Sequence, residues 1–133
     1  MAGVHFNFKD FSQLISLNIG IADRLDENRA ESFTILYCNF NDIEKKIIKN
    51  SLETVLRSSD AIANFEKDYF FVLPYTDKFG AGIVKKMFDD FFDKVISSEM
   101  VSYPKDGESP KMLIEEIQTI VSTNLDIELR CLN

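Results

Sequence analysis

The sequence predicts an α+β domain in which a split β-α-β-β-α-β unit forms an antiparallel sheet with helices packed on it, preceded by an N-terminal helix. Three observations predict this. Apolar residues recur at helical spacing in four stretches, and short β-rich runs alternate with those stretches. Two of the runs, Ala61 to Phe65 and Tyr69 to Leu73, are separated only by Glu66-Lys67-Asp68, the spacing of a hairpin with a tight polar turn.

The elements follow in order. Asp10 with Gln13 reads as a capping box, and Phe11, Leu14, Ile15, Ile19, Ala22 and Leu25 then mark the buried stripe of a leading helix over 10–27. The polar stretch Asp26 to Glu31 ends it. Phe33 to Cys38 is apolar enough for a strand covered on both faces. Asn41 and Glu44 open the next helix, with Ile43, Ile47, Ile48, Leu52, Val55 and Leu56 inward. After the hairpin and Pro74, Thr76 is placed to cap a third helix whose Phe79, Ile83, Val84, Met87, Phe88, Phe91 and Phe92 face inward, with one ring of the Phe91-Phe92 pair able to stay exposed for a partner. Val95 to Val101 is a weaker strand, and Tyr103 to Gly107 a turn. Ser109 and Pro110 start a fourth helix, and the alternation of Ile127, Leu129 and Cys131 with charged residues predicts a final edge strand. This element order is the ferredoxin-like arrangement.

With 133 residues, 22 acidic and 15 basic groups and a net charge of −7, the chain has the composition of one globular domain spanning 1–133, with 1–9 expected as a flexible tail. Its charge repels phosphate backbones, so DNA or RNA binding is not expected. No run approaches the length of a membrane span and no basic-apolar leader opens the chain, which predicts a cytoplasmic protein without membrane insertion. Cys38 and Cys131 lie outside any CxxC and read as reduced thiols. His5 reads as a solvated tail residue, and the lysine pairs 45–46 and 85–86 as solvated helix faces. Phosphate-binding loops, nucleophile elbows and zinc motifs are absent from the sequence.

The run from Leu56-Arg57-Ser-Ser-Asp60 through Phe65-Glu66-Lys67-Asp68-Tyr69-Phe70 to Leu73-Pro74-Tyr-Thr-Asp77 resembles the bacterial GGDEF family, the diguanylate cyclase domain. That family places Arg-x-x-Asp before a short strand, then Gly-Gly-Asp/Glu-Glu-Phe, an apolar strand and Leu-Pro-x-Thr-Asp. Asn39 to Glu44 stands where the family has Asp-x-Asp-x-Phe-Lys, and Tyr103-Pro-Lys-Asp-Gly107 matches a family turn. The resemblance covers about residue 21 to the C-terminus and implies a nucleotidyl cyclase-like fold.

What the resemblance implies for chemistry lies in the departures. In the family the two glycines let backbone approach the nucleotide while strand and hairpin carboxylates hold divalent metal over the triphosphate. Here the glycine positions are Glu66 and Lys67, Asp68 keeps one carboxylate, Tyr69 replaces the next acid, and Phe70 closes the motif. The metal-binding aspartate of the first strand aligns with Asn39, and the phosphate-facing lysine with Glu44. The segment between first strand and hairpin is also shorter than the family's by roughly a dozen residues, which removes substrate contacts. No catalytic residue, metal site or cofactor is therefore expected, and cyclase activity is expected to be lost. Arg57 and Asp60 match the family's cyclic di-GMP inhibitory site, so that nucleotide is the candidate ligand; an Arg near a helix end and an Asp in a turn have equally ordinary structural uses. The expected function is a regulatory module acting through an unidentified protein partner, with a homodimer left open. The alternatives are a residual metal-dependent nucleotide-processing enzyme and a purely structural adaptor or dimerisation domain.

Overall fold

A computed structural model describes residues 2–25 and 29–133. Its five-stranded sheet has the order β1-β3-β4-β2-β5, with β1 at Val4–His5, β2 at Glu31–Asn39, β3 at Ala61–Phe65, β4 at Asp68–Pro74 and β5 at Ser97–Pro104. The helices are α1 (Phe11–Leu25), α2 (Lys45–Val55), α3 (Lys78–Phe92) and α4 (Pro110–Leu125). Strands β2 to β5 pair antiparallel in the order that the split β-α-β-β-α-β unit requires.

Strand β2 is buried from Phe33 to Cys38 because both faces of the sheet are covered. Phe33, Ile35 and Tyr37 pack with Phe70, Val72, Tyr103 and the inner faces of α1 and α4. Leu36 and Cys38 pack on the other side with Phe40, Phe71, Phe88 and the inner face of α2. The rings of Phe71 and Phe88 stack at 5.1 Å, and Phe40 lies 5.3 Å from Phe88. Helix α1 docks on its own domain through Phe11, Leu14 and Ile15, and Tyr103 Oη donates to Asp23 Oδ1 at 2.5 Å. That carboxylate, ahead of burial, holds the Tyr103 phenol up at about 12.

Several expectations are corrected. Residues 127–132 do not form an edge strand. Asp126, in the left-handed region, ends α4, and the chain then folds beneath that helix into a 3₁₀ turn at Arg130–Leu132, burying Leu129. Gln118 on α4 donates to the Leu129 carbonyl and to Asn133, partners that a strand would have found in a neighbour. The segment read as a tail contributes β1, which runs parallel to β3, and His5 Nε2 lies 3.3 Å from Asn64 Oδ1. The entry to α1 comes earlier than Asp10: Asn7 accepts from Lys9 N and caps a 3₁₀ turn, Phe8–Asp10, that runs straight into the helix. The expected end of that helix at 26–27 lies outside the described residues. Helix α2 starts at Lys45 with no side-chain cap, and its Ile47 is exposed. Asp77, not Thr76, caps α3 by accepting from Gly80 N. On α3 only part of the broad apolar set turns inward: Phe88 is buried, whereas Phe79, Ile83, Met87 and Phe91 are exposed.

Phe88→Ala removes a ring that stacks on Phe71 and fills the α3 side of the sheet. It should cost about 3–5 kcal/mol, read as a lowered urea midpoint with an unchanged slope.

Candidate functional site

The hairpin β3–β4 projects its two-residue turn, Glu66 and Lys67, from one end of the sheet, with Phe65 opposite Asp68. Strand β2 ends beside it, so that Asn39 pairs with Asp68, Cys38 with Tyr69 and Tyr37 with Phe70. Pleating then sorts these side chains. Asp68 Oδ1 accepts from Tyr37 Oη at 2.6 Å and from Asn39 Nδ2 at 3.4 Å. Tyr69 faces the other way and is buried 4.9 Å from the Phe40 ring, while Phe70 sits in the opposite core against Phe11 and Tyr37. Burial, and then the bond to Asp68, push the Tyr37 phenol upward, so Tyr37 stays a donor and Asp68 the acceptor.

The turn is closed over rather than open. Phe40 N donates to the Lys67 carbonyl at 2.9 Å, and the Lys67 ammonium reaches across to the Ile43 carbonyl in the loop before α2. Glu66 is exposed and takes φ +54°, a left-handed conformation that costs a side-chain-bearing residue about 1–2 kcal/mol. This backbone is where a glycine is at ease, and here a glutamate adopts it. A divalent metal fits poorly. Asp68 already accepts two bonds, Asn39 is neutral, Glu66 is exposed on the turn, and Tyr69 points into the core. Among the described residues no three His, Cys, Asp or Glu side chains converge anywhere.

Arg57 and Asp60 lie at the opposite end of β3, just after α2. Asp60 is buried, and its carboxylate accepts from Arg57 N at 2.8 Å, from Arg57 Nε at 3.2 Å and from Arg57 Nη2 at 2.8 Å. The same Nη2 donates to the Pro74 carbonyl and to Thr76 Oγ1. The Arg57 carbonyl accepts from Gly3 N and Asp60 N. The pair therefore ties together the end of α2, the start of β3, the end of β4 and the N-terminal strand. Its side chains are 54% and 2% exposed, so the guanidinium offers an outer face and the carboxylate offers none. The sequence places these two residues in register; that Asp60 is enclosed by its own arginine could not be read there, because the enclosure comes from β4 and the N-terminus.

No family model and no curated protein matches the chain. Solved structures do. A DGC protein from Thermotoga maritima superposes with a TM-score of 0.63 at 16% identity, covering 87% of this chain and 95% of that one. The GGDEF domain of YfiN (TpbB) from Pseudomonas aeruginosa gives a TM-score of 0.63 at 15% identity, covering 90% of this chain and 91% of the other. The chain thus has the fold of GGDEF domains, with the strand, hairpin and helix order anticipated from its motifs. No helix among the described residues is long and apolar enough to cross a membrane.

Two stability measurements check this geometry. Glu66→Gly relieves the left-handed strain but loosens the unfolded chain, and the balance should be a gain of about 0.5–1 kcal/mol. Asp60→Ala strips the acceptor from three N–H groups and should cost about 2–3 kcal/mol in urea unfolding.

Proposed function

We propose that this domain is a GGDEF-type regulatory module that has lost nucleotide transfer and acts through protein contacts. The observation that carries the reading is the hairpin corner. Its carboxylate is bonded by Tyr37 and Asn39, its turn is bridged by Lys67 to the loop before α2, and its second acid is replaced by a tyrosine turned into the core. Phosphoryl transfer depends on positioning the triphosphate and on neutralising developing charge with metal ions. This corner supplies neither. The substitutions at Asn39, Glu44, Glu66, Lys67 and Tyr69 act together, so no single reversion restores the missing terms.

Cyclic di-GMP is the ligand that the Arg57–Asp60 pair suggests, and the geometry weighs against its capture there. A guanine edge needs the Asp60 acceptors, and those are taken by Arg57 itself. A ligand would have to displace bonds that also anchor β4 and the N-terminal strand.

Prolonged incubation with GTP or ATP and Mg²⁺ or Mn²⁺ should leave the nucleotide intact, and the Glu66→Gly/Lys67→Gly double variant should behave the same way. A product that forms and disappears in Asp68→Ala would overturn the reading. Calorimetric titration with cyclic di-GMP to high micromolar concentration should give no binding heat; saturable heat abolished by Arg57→Ala would make the domain a receptor.

A further inference from the structure

Strand β5 ends the sheet order and has a strand neighbour on one side only, β2. The phase of the ladder fixes which of its backbone groups face outward. Phe40 N donates to the Lys67 carbonyl, so Phe40 and every second residue before it bond toward β4, while Asn39, Tyr37 and Ile35 bond toward Ser97, Glu99 and Val101 of β5. The N–H and C=O groups of Ser98, Met100 and Ser102 therefore point away from the sheet. Ser102 is closed off: its N donates to Asp106 Oδ2 and its carbonyl accepts from Asp106 N, both at 2.8 Å. Ser98 and Met100 have no such partner among the described residues. Lysine, proline and bulges, the usual guards of a bare edge, are missing from residues 97–102.

A groove of about 380 Å³ lies along this edge, lined by Glu99, Met100, Glu116 and Ile120 and, at its Ser102 end, by Lys78 and Asp106. Lys78 is engaged by Asp106 at 2.5 Å and by Glu31 at 3.5 Å. Glu99 accepts from the neutral Asn124 at 3.2 Å, and Glu116 has no ion pair among the described residues. The uncompensated charge of the groove is negative.

We propose that this edge receives an extended basic segment of a partner protein as a sixth strand, antiparallel to β5. The proposal rests on the protein-contact reading above and names its surface and its partner. Backbone supplies the affinity, because the residues opposite Ser98 and Met100 each exchange two N–H···O bonds with them. Pleating supplies the choice. Val101 and Tyr103 point to the α1 and α4 side, so Glu99 does too, and the incoming residue opposite Glu99 lies beside Glu99 and Glu116, where a lysine or arginine is matched. The residues before and after it turn to the face on which Met100 packs, and are apolar. A second copy is refused, because its own β5 would bring the same acids and another charge of −7.

The test is an amide-resolved NMR titration of the whole chain with the capped peptide Lys-Val-Lys-Val-Lys. Shifts should saturate with a Kd of about 50–500 µM and centre on residues 97–101, and hydrogen exchange at the Ser98 and Met100 amides should slow. The charge-reversed Glu-Val-Glu-Val-Glu should not bind. N-methylation of both valines keeps the charge but removes the donors that face β5, and should weaken binding at least about tenfold. Met100→Pro, which an outer edge tolerates, and Glu116→Lys should each weaken it by a similar factor with an unchanged circular dichroism melt. Where Met100→Pro lowers the melt, Glu116→Lys and the methylated peptide decide. No saturable shifts, shifts centred elsewhere, a methylated peptide that binds as well, or slowing of the Ser98 and Met100 amides by protein concentration alone, the mark of a second copy, would overturn the proposal. None of these results touches the loss of nucleotide transfer, and nucleotide turnover would leave the strand addition standing, so the two readings fall separately.

Discussion

Strand β2 is hydrogen-bonded along both edges and packed on both faces, and the rest of the molecule is arranged around satisfying it. Its partners β4 and β5 run antiparallel to it for most of its length, which fixes where the hairpin turn and Asn39 meet. Alternate residues feed the two cores, so a one-residue slip would exchange every ring between them. Buried hydroxyls reinforce the register at the far end: Thr34 Oγ1 lies 2.7 Å from both Ser102 Oγ and the Thr76 carbonyl. The corner formed by Asn39 and the hairpin turn is thus positioned by the central strand.

Two strands and a two-residue turn persist although the turn's first position is strained, because the flanking ladder and the Phe40–Lys67 bond hold it in place. Asp68 accepts a hydrogen bond from Tyr37 across the two strands. The Arg57–Asp60 pair serves the same kind of end, joining four segments near the start of β3. The groups that resemble a ligand site by sequence are hydrogen-bonded in this fold to one another and to neighbouring segments.

Much of this was legible in the sequence, for reasons that differ by element. Strand β2, the hairpin and the Ser109-Pro110 start of α4 were readable because continuous apolar character, a short polar gap and a capping residue are local signals. The direction of the α3 stripe was not. Seven apolar residues cover more than half of that helix's circumference, and only the width of the sheet beneath decides which are left outside. The alternation of Ile127, Leu129 and Cys131 reads as a strand because a chain lying in a groove also buries every second residue. Val4–His5 is too short to show any period, and its pairing depends wholly on the bare edge of β3. Of the site, the residue identities were legible and their engagements were not, since hydrogen bonds such as Tyr37 to Asp68 join strands brought together by the fold.

The two thiols lie in unlike settings on opposite sides of the sheet. Cys38 is enclosed in the α2 and α3 side, and burial drives its thiol far above its ordinary acidity constant. Cys131 sits half-covered in the C-terminal turn, its thiol raised to about 11, chiefly by burial. An alkylating reagent therefore meets two clocks in one polypeptide: Cys131 keeps time with peeling of the last few residues, and Cys38 with rupture of the whole interior.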